Sequence, residues 1–427
     1  MRQKSHSPGP STSDNQIPNM ITKAHASTYY PNLDGWRGYA ILWIMLGHVA
    51  YVYSINYADN LLLLFASIST PLAVDIFFII SGYMIAGSLS VQNQVDLKTF
   101  FRKRALRILP IYFFTVFCVF IVDGFAPNYE LKVDTKLPAQ TLSYSDIGRN
   151  LCSIRSDVLP AVEQSYFVTT KNQAESFWQN LFLVQNFYPF TERVKLLAHT
   201  WFVAIIFHFY IIYGLLTLLI TKLFHGPDTQ RNVMLCLLVM LVLSIALLRA
   251  EFGKQYYEYF QMTHFRLDAI LLGSVLNLSK GFLSSMHKKI SWNIITASLF
   301  FCTGLVILVT LIFRWPPTDW NQSPNSFTLS YLAFGLMIIP TMEGNRFSRI
   351  VFGNPVIAWI GNYSYGIYLW HYPFMFFYRL LAIRMQWSNL FSITTFCILS
   401  IAIGAGLQRL FENVPRLSIS VIARSSH

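Results

Sequence analysis

The strongest constraint on this chain is a series of apolar runs, each about long enough to cross a lipid bilayer. At about 1.5 Å of rise per residue, an α-helix needs about 20 residues to cross a hydrocarbon core about 30 Å thick. The 427-residue chain has room for about ten such helices when most connections are short. The runs cover residues 38–57, 66–89, 105–122, 198–221, 232–250, 257–279, 293–313, 326–342, 356–381 and 390–411. The sequence therefore predicts an all-α, polytopic membrane protein with about ten transmembrane helices.

Composition excludes several other classes of protein. Hydrophobic residues make up 54% of the chain and charged residues only 12%, whereas soluble proteins average about 25% charged residues. The net charge of +12 does not indicate nucleic-acid binding, because the basic residues cluster between apolar runs. Four of the five cysteines lie inside apolar runs, and Cys152 lies in the long polar segment. We therefore expect no disulfide framework, no metal site and no nucleic-acid partner.

Basic residues in alternate short loops set the expected orientation. Lysine and arginine concentrate between the second and third runs and in loops 280–291 and 343–354, which share one side of the membrane if ten helices alternate. Both termini should then be cytoplasmic, and segment 123–197 should be extracytoplasmic. The predicted organisation is a disordered cytoplasmic tail at 1–30, a transmembrane domain at 31–416 and a cytoplasmic tail at 417–427.

Arg37 and His48 are the first candidate functional residues. They are eleven positions apart, close to three helical turns, so both project from one face of the first helix about 16 Å apart along its axis. An elongated donor with a phosphate end and a reactive end would suit this geometry. The alternative is a snorkelling arginine and a packed, hydrogen-bonded histidine.

Arg104, Arg107 and Asp75 are the next candidates. The two arginines are spaced i, i+3, so they share a face and can clamp phosphates, although a positive-inside anchor also explains them. Asp75 lies within an apolar run, where a carboxylate costs about 2.5–3.5 kcal/mol on insertion scales. It should therefore have a partner, for which Arg37, His48 and Arg104 are the candidates. A structural ion pair and a catalytic role both remain open.

Further polar residues fall toward the outer ends of later runs. Arg266 and Asp268 lie in the sixth run, where we expect a polar acceptor substrate to reach. His371, near the outer end of the ninth run, is a candidate for either function or structure. His371 and Tyr368 are further candidates for contact with the acceptor, although Tyr368, like Trp370 and Tyr372, is typical of an interfacial aromatic belt. His199 and Trp201 are typical of interfacial anchors.

Five motifs, in this order on the predicted helices, resemble the acyltransferase 3 family of membrane acyltransferases. They are Leu33-Asp34-Gly35-Trp36-Arg37-Gly38 with His48, Asp75-Ile-Phe-Phe-Ile-Ile-Ser81-Gly82-Tyr83, Phe101-Arg-Lys-Arg104-Ala-Leu-Arg107-Ile-Leu-Pro110-Ile-Tyr112, Arg266-Leu-Asp268-Ala-Ile-Leu-Leu-Gly273 and Ser364-Tyr365-Gly-Ile-Tyr368-Leu-Trp-His371-Tyr-Pro373. The resemblance extends from about residue 31 to residue 416.

The resemblance implies transfer of an acyl group, usually acetyl, from cytoplasmic acyl-CoA to a hydroxyl group. In bacteria the acceptors of this family are typically surface glycans such as O-antigen, exopolysaccharide or peptidoglycan, and the enzymes lie in the plasma (inner) membrane. By this resemblance His48 matches the essential histidine, which would act as a base or carry the acyl group, and Arg37 matches its paired arginine. Arg37, or another cation, could stabilise the negative charge that develops on the reacting carbonyl oxygen. Arg104 and Arg107 match the pair that meets the CoA phosphates, and Asp75 belongs to the second-helix motif.

The chain also departs from the family pattern. Ile206 and Phe207 stand where the family often has acidic residues, and neighbouring His208 is a possible substitute. The C-terminal motif Glu412-Asn-Val-Pro415 is one residue longer than usual, and no esterase-like domain is expected after the tenth run. A transporter or flippase of a lipid-linked glycan is the alternative function, since it too would carry buried charges and aromatic belts.

Overall fold

A computed structural model describes residues 31–52, 61–89, 96–125, 173–188, 195–252, 261–282, 285, 294–314, 326–342 and 346–425. Within these ranges the secondary structure is helical. The α-helices are α1 Pro31–Val52, α2 Leu61–Ser88, α3 Leu97–Phe125, α4 Gln173–Leu181, α5 Trp201–Leu223, α6 Pro227–Phe252, α7 Thr263–Leu278, α8 Ile294–Arg314, α9 Ser326–Met342, α10 Arg346–Val351, α11 Pro355–Asn362, α12 Ser364–Arg384 and α13 Asn389–Ser425. Two 3₁₀ helices, Gln185–Phe187 and Lys195–Thr200, precede α5.

Each of the ten predicted apolar runs overlaps a helix in the described part of the chain, so the all-α fold class is confirmed. The ninth run differs from a single continuous helix, because it is divided into α11 and α12 at Tyr363. The Asn354 side chain caps the start of α11 by accepting hydrogen bonds from the backbone N–H groups of Val356 and Ile357. The prediction of one continuous ninth helix was therefore wrong.

Five helices of the described residues are long and apolar enough to cross a membrane. These segments are Ser69–Ser88, Leu97–Val122, Leu196–Leu223, Pro227–Phe252 and Asn389–Asn413. Helices that carry more polar groups lie between them; α7, for example, has 16 residues and includes Arg266 and Asp268. The chain is thus an integral membrane protein by helix length and composition, while the count of ten spans and the side of each terminus stay predictions.

The helices that carry the candidate residues pack against one another at the centre of the molecule. Helix α2 packs along both α1 and α7, and α1 also packs against α11 and α12. Glycines permit the closest of these approaches: a Cβ atom on Gly82 would lie 1.8 Å from the carbonyl oxygen of Ile270, and one on Gly273 would lie 1.9 Å from that of Ile79. Close backbone contact through small residues is the usual way that membrane helices associate.

Some sequence-based predictions fall outside the described residues. These are the tail at 1–30, most of segment 123–197 including Cys152, and much of loop 280–291. At the other end, α13 continues through the predicted domain boundary at residue 416 and reaches Ser425.

Candidate functional site

A pair of histidines forms the centre of the candidate site. His48 Nδ1 on α1 lies 2.9 Å from His371 Nε2 on α12, and the two rings are nearly parallel. His371 is completely buried, and its Nδ1 lies 2.7 Å from the carbonyl oxygen of Tyr368. The sequence placed these histidines on separate runs with separate roles, and the structure brings them into direct contact.

The hydrogen-bond partners assign the tautomers of both histidines. Because a carbonyl oxygen only accepts hydrogen bonds, His371 Nδ1 carries the hydrogen and donates it to Tyr368. In a neutral imidazole the other nitrogen is then an acceptor, so His48 Nδ1 donates to His371 Nε2. His48 Nε2 is left with a lone pair and has no hydrogen-bond partner among the described residues. A neutral imidazole nitrogen in this state can accept a proton or act as a nucleophile.

A cavity lined by three arginines lies along the same helices. Arg37 of α1 lines it together with Arg104 and Arg107 of α3, and we call this the arginine end of the site. The cavity contains about 780 Å³ of empty space, its open mouth included. None of the described residues lining it is acidic. Three guanidinium groups without a lining carboxylate favour an anionic ligand.

Each arginine at this end has its own surroundings. Arg37 pairs with Asp34 on the same helix at 3.3 Å. Arg104 donates a hydrogen bond to Ser88 at 3.0 Å, and its guanidinium lies 6.0 Å from the ring centroid of Tyr210. Arg107 is exposed. The predicted shared face of Arg104 and Arg107 is confirmed, and their contact with CoA stays a prediction.

The cavity extends from the arginine end toward the histidine pair. Apolar side chains also line the cavity, among them Phe77 and Phe202. Tyr368 also lines it, and the carbonyl group of the same residue holds His371. The cavity therefore extends to within one helical turn of His371 on α12, although neither histidine of the pair lines it.

Asp75 has a different partner from those predicted. Asp75 and Arg266 form an ion pair, Arg266 donating from Nη2, and both side chains are completely buried. Arg37, His48 and Arg104 were the wrong candidates, because the face of α2 that carries Asp75 packs against α7. This pairing balances the charge of the carboxylate inside the bundle and favours a structural role over catalysis, although Asp75 Oδ2 has no hydrogen-bond partner among the described residues.

Asp268 and Arg266 are both completely buried, whereas the sequence predicted positions that an acceptor would reach. Asp268 accepts a bidentate contact from Arg249 of α6, at 3.1 and 2.6 Å, and neither side chain is exposed. Arg249 was not among the predicted site residues, although it is the single charged residue inside run 232–250. Contact of Arg266, Asp268, His371 or Tyr368 with an acceptor stays a prediction.

Other residues predicted at the interface are also internal. Tyr368, Tyr372, His199 and Trp201 are all buried, so the belt and anchor predictions for them were wrong. They pack around the histidine pair, with the Tyr372 ring centroid 4.9 Å from those of both His48 and His199. Hydropathy cannot distinguish an aromatic ring facing headgroups from one facing a polar core.

His208, the possible substitute for the family's acids, takes part in another contact. Its Nδ1 lies 2.7 Å from Thr263 Oγ1 of α7. It does not line the cavity, whereas Ile206 does. Among the described residues, no group of His, Cys, Asp and Glu is arranged to hold a metal ion, and Cys118, Cys236, Cys302 and Cys397 are free thiols.

Comparison with known proteins adds independent evidence. The chain is 26% identical over 370 residues to O-acetyltransferase OatA of Staphylococcus aureus strain NCTC 8325 / PS 47, an alignment covering 84% of this chain and 52% of that protein. It is 28% identical over 373 residues to the putative O-acetyltransferase SACOL0978 of S. aureus strain COL, with 84% and 52% coverage. The chain thus spans about half the length of these curated relatives. No solved structure matches it.

A family model agrees with the motifs read from the sequence. The model of the acyltransferase 3 family, described as an acyltransferase domain, matches residues 30–409 and so includes every candidate residue. Because this match covers most of the chain, the protein belongs to the acyltransferase 3 family.

Proposed function

We propose that this protein is a membrane O-acyltransferase that moves an acyl group, acetyl in the first instance, from acyl-CoA to a hydroxyl group of a glycan. The observation that carries the proposal is the free lone pair of His48 Nε2, in a histidine pair whose His371 lies within one helical turn of a cavity lined by three arginines. The names of the relatives, O-acetyltransferase OatA and a putative O-acetyltransferase, support the same reaction.

The cavity matches the chemistry of an acyl-CoA donor. Arg104 and Arg107 would bind the donor phosphates, since guanidinium groups bind phosphate oxygens in a bidentate manner. Arg37 lies at the same end, about 16 Å along α1 from His48. We therefore assign Arg37 to the donor phosphates rather than to the reacting carbonyl. The apolar side chains of the cavity would receive the thioester arm of the donor and direct it toward His48.

The histidine pair supplies the reactive atom in either of two schemes. In direct transfer, the oxygen of the acceptor hydroxyl attacks the thioester carbon while His48 Nε2 takes the hydroxyl proton. That proton then passes to the departing CoA thiolate. In a relay, Nε2 first attacks the thioester carbon itself and carries the acyl group to the acceptor. His371 holds the productive tautomer of His48 in both schemes.

We further propose that both termini are cytoplasmic and that the membrane is the bacterial inner membrane. The arginine end would then open to the cytoplasm, where acyl-CoA is made, and the acceptor, a surface or lipid-linked glycan, would approach from outside. Single cysteines at His225 and Ser388, in a chain whose own cysteines are serines, test this orientation. Impermeant thiol reagents should label H225C only from the cytoplasm and S388C only from outside; the opposite pattern would overturn the topology.

The function is tested with purified protein and radiolabelled acetyl-CoA. Wild-type protein should release CoA, and H48A should lose this activity by about 10²- to 10⁴-fold, the usual cost of removing a general base. Variant H225A, which changes an exposed histidine between α5 and α6, should keep wild-type activity. A correctly inserted H48A protein that releases CoA at the wild-type rate would refute the assignment. A wild-type protein that binds no acetyl-CoA would favour the flippase alternative.

A further inference from the structure

His199 is a third histidine beside the pair, and one of its nitrogens is left without a partner. The residue lies on the 3₁₀ helix Lys195–Thr200 and is 4% exposed. Its Nε2 lies 3.2 Å from the carbonyl oxygen of Leu369, so Nε2 carries the hydrogen and donates it. Nδ1 then holds a lone pair, and it is buried with no hydrogen-bond partner among the described residues. A buried acceptor in this state is unfavourable unless a donor comes to it.

The neighbours of His199 place its ring beside the histidine pair. The ring centroids of His199 and His371 are 5.7 Å apart. Tyr372 contacts both His199 and His48, with ring centroids 4.9 Å from each. The Tyr368 hydroxyl donates to the backbone carbonyl of His199 and fixes its position. The three-histidine cluster thus holds two unused lone pairs, on His48 Nε2 and His199 Nδ1.

His199 lies just before the end of α5 that is farther from Arg104. Helix α5 begins at Trp201, two residues after His199, and Tyr210 lines the cavity near Arg104, about 13 Å further along the helix axis. A ligand that meets His199 before it meets the arginines therefore comes from the other end of the site. On the proposed function, that ligand is the hydroxyl-bearing acceptor.

We propose that His199 Nδ1 is the base for the acceptor hydroxyl in the second step of a two-step transfer. This proposal rests on the proposed function and selects its relay scheme. In the first step, the bond from His48 Nε2 to the acyl carbon forms, the carbon–sulfur bond breaks, and CoA leaves as a thiolate that takes a proton from water. In the second step, the acceptor oxygen bonds to the acyl carbon and the carbon–Nε2 bond breaks. The hydroxyl proton passes to His199 Nδ1 and then to water, which restores both neutral histidines.

Substitution of His199 by glutamine separates this role from a structural one. The side-chain amide nitrogen of glutamine can occupy the position of Nε2 and keep the hydrogen bond to Leu369, but it supplies no basic lone pair at the position of Nδ1. A residue that only supports the fold would therefore tolerate H199Q. The control is H264Q, which changes an exposed histidine on α7.

The experiment follows CoA release from acetyl-CoA by rapid quench, with water as the hydroxyl acceptor. H199Q should release about one CoA per protein in a burst, retain labelled acetyl on His48, and then turn over about 10²- to 10⁴-fold more slowly than wild type. H264Q should behave as wild type. Wild-type turnover by H199Q, or loss of its burst with unchanged thermal stability, would overturn the role of His199. If the wild-type protein releases no CoA at all, the proposed function itself fails, which is a separate outcome.

Discussion

His48 Nδ1 lies 2.9 Å from His371 Nε2, although the two residues are 323 positions apart in the chain. The backbone determines the tautomer of both rings, because His371 Nδ1 donates to the carbonyl oxygen of Tyr368 at 2.7 Å. One peptide carbonyl on α12 thus determines which nitrogen of a histidine on α1 presents its lone pair. His371 is in this sense a positioning residue for His48 in the proposed reaction.

Substitutions of His371 should therefore differ according to which nitrogen they replace. Glutamine can place its carbonyl oxygen at the position of Nε2 and still accept from His48, whereas leucine cannot. We expect H371L to lose about 1–3 kcal/mol of transition-state stabilisation, about 5- to 150-fold in turnover, and H371Q to lose less. CoA release at saturating acetyl-CoA measures this difference. Equal activity of H371L and wild type would show that His48 does not depend on His371.

The Asp75–Arg266 pair should contribute to stability through its balance of charge. Both side chains are completely buried, and removing one partner of a buried pair costs about 3–5 kcal/mol because the other charge is left alone. We expect D75L and R266M each to lower the melting temperature strongly in detergent. The double variant D75L/R266M should recover most of the loss, since it buries no unpaired charge.

An exposed ion pair provides the control for this measurement. Asp228 and Arg231 lie 3.2 Å apart at the start of α6, with side chains 77% and 41% exposed. Exposed pairs contribute about 0–1 kcal/mol, so D228L should melt close to wild type. A double variant D75L/R266M that is as unstable as the worse single variant would contradict a simple charge balance.

The sequence predicted the helices better than the contacts between them. Apolar runs locate helices because each one must satisfy its backbone hydrogen bonds within itself. The break at Tyr363 escaped this reasoning, since the apolar residues Ile360 and Ile367 on either side keep the hydropathy high. Spacing also showed that Arg104 and Arg107 share a face, which their common cavity confirms.

Partners on other helices could not be predicted from spacing. Asp75 and Arg266 are 191 positions apart, and the pairing depends on which face of α2 packs against α7. The same holds for the buried positions of His199 and Tyr372, which the sequence placed at the membrane interface. A period of 3.6 residues defines the face of a helix and says nothing about its neighbour.

The arginine end should determine the affinity for the donor. Losing Arg104 or Arg107 removes charged hydrogen bonds worth about 1.5–3 kcal/mol each, so R104A and R107A should raise the acetyl-CoA concentration for half-maximal rate about 10- to 150-fold. Arg102 and Lys103 are matched controls, because they are exposed on the same helix and do not line the cavity. If R107A and K103A shift the requirement equally, the arginines act as membrane anchors and not as donor ligands.

Gln408 should control the shape of the cavity from outside it. This residue of α13 is 2% exposed. Its Oε1 accepts from the backbone N–H of Gly366 at 2.9 Å, and its Nε2 donates to the carbonyl of Asn362 at 3.1 Å and to Glu412 at 2.9 Å. One amide therefore satisfies a backbone group at the end of α11 and another at the start of α12, where the helices break. Asn362 and Ser364, on either side of that break, line the cavity.

Replacing Gln408 with leucine should loosen this break and weaken donor binding. Q408L leaves the two backbone groups unsatisfied at a cost of about 1–3 kcal/mol each, so both the melting temperature and the apparent affinity for acetyl-CoA should fall. E412Q is the matched comparison, since a glutamine at 412 can still accept from Gln408 through its carbonyl oxygen and should remain close to wild type. Unfolding in detergent and titration of CoA release with acetyl-CoA measure the two effects. A Q408L protein that is less stable but binds the donor normally would mean that Gln408 supports the helix ends without shaping the cavity.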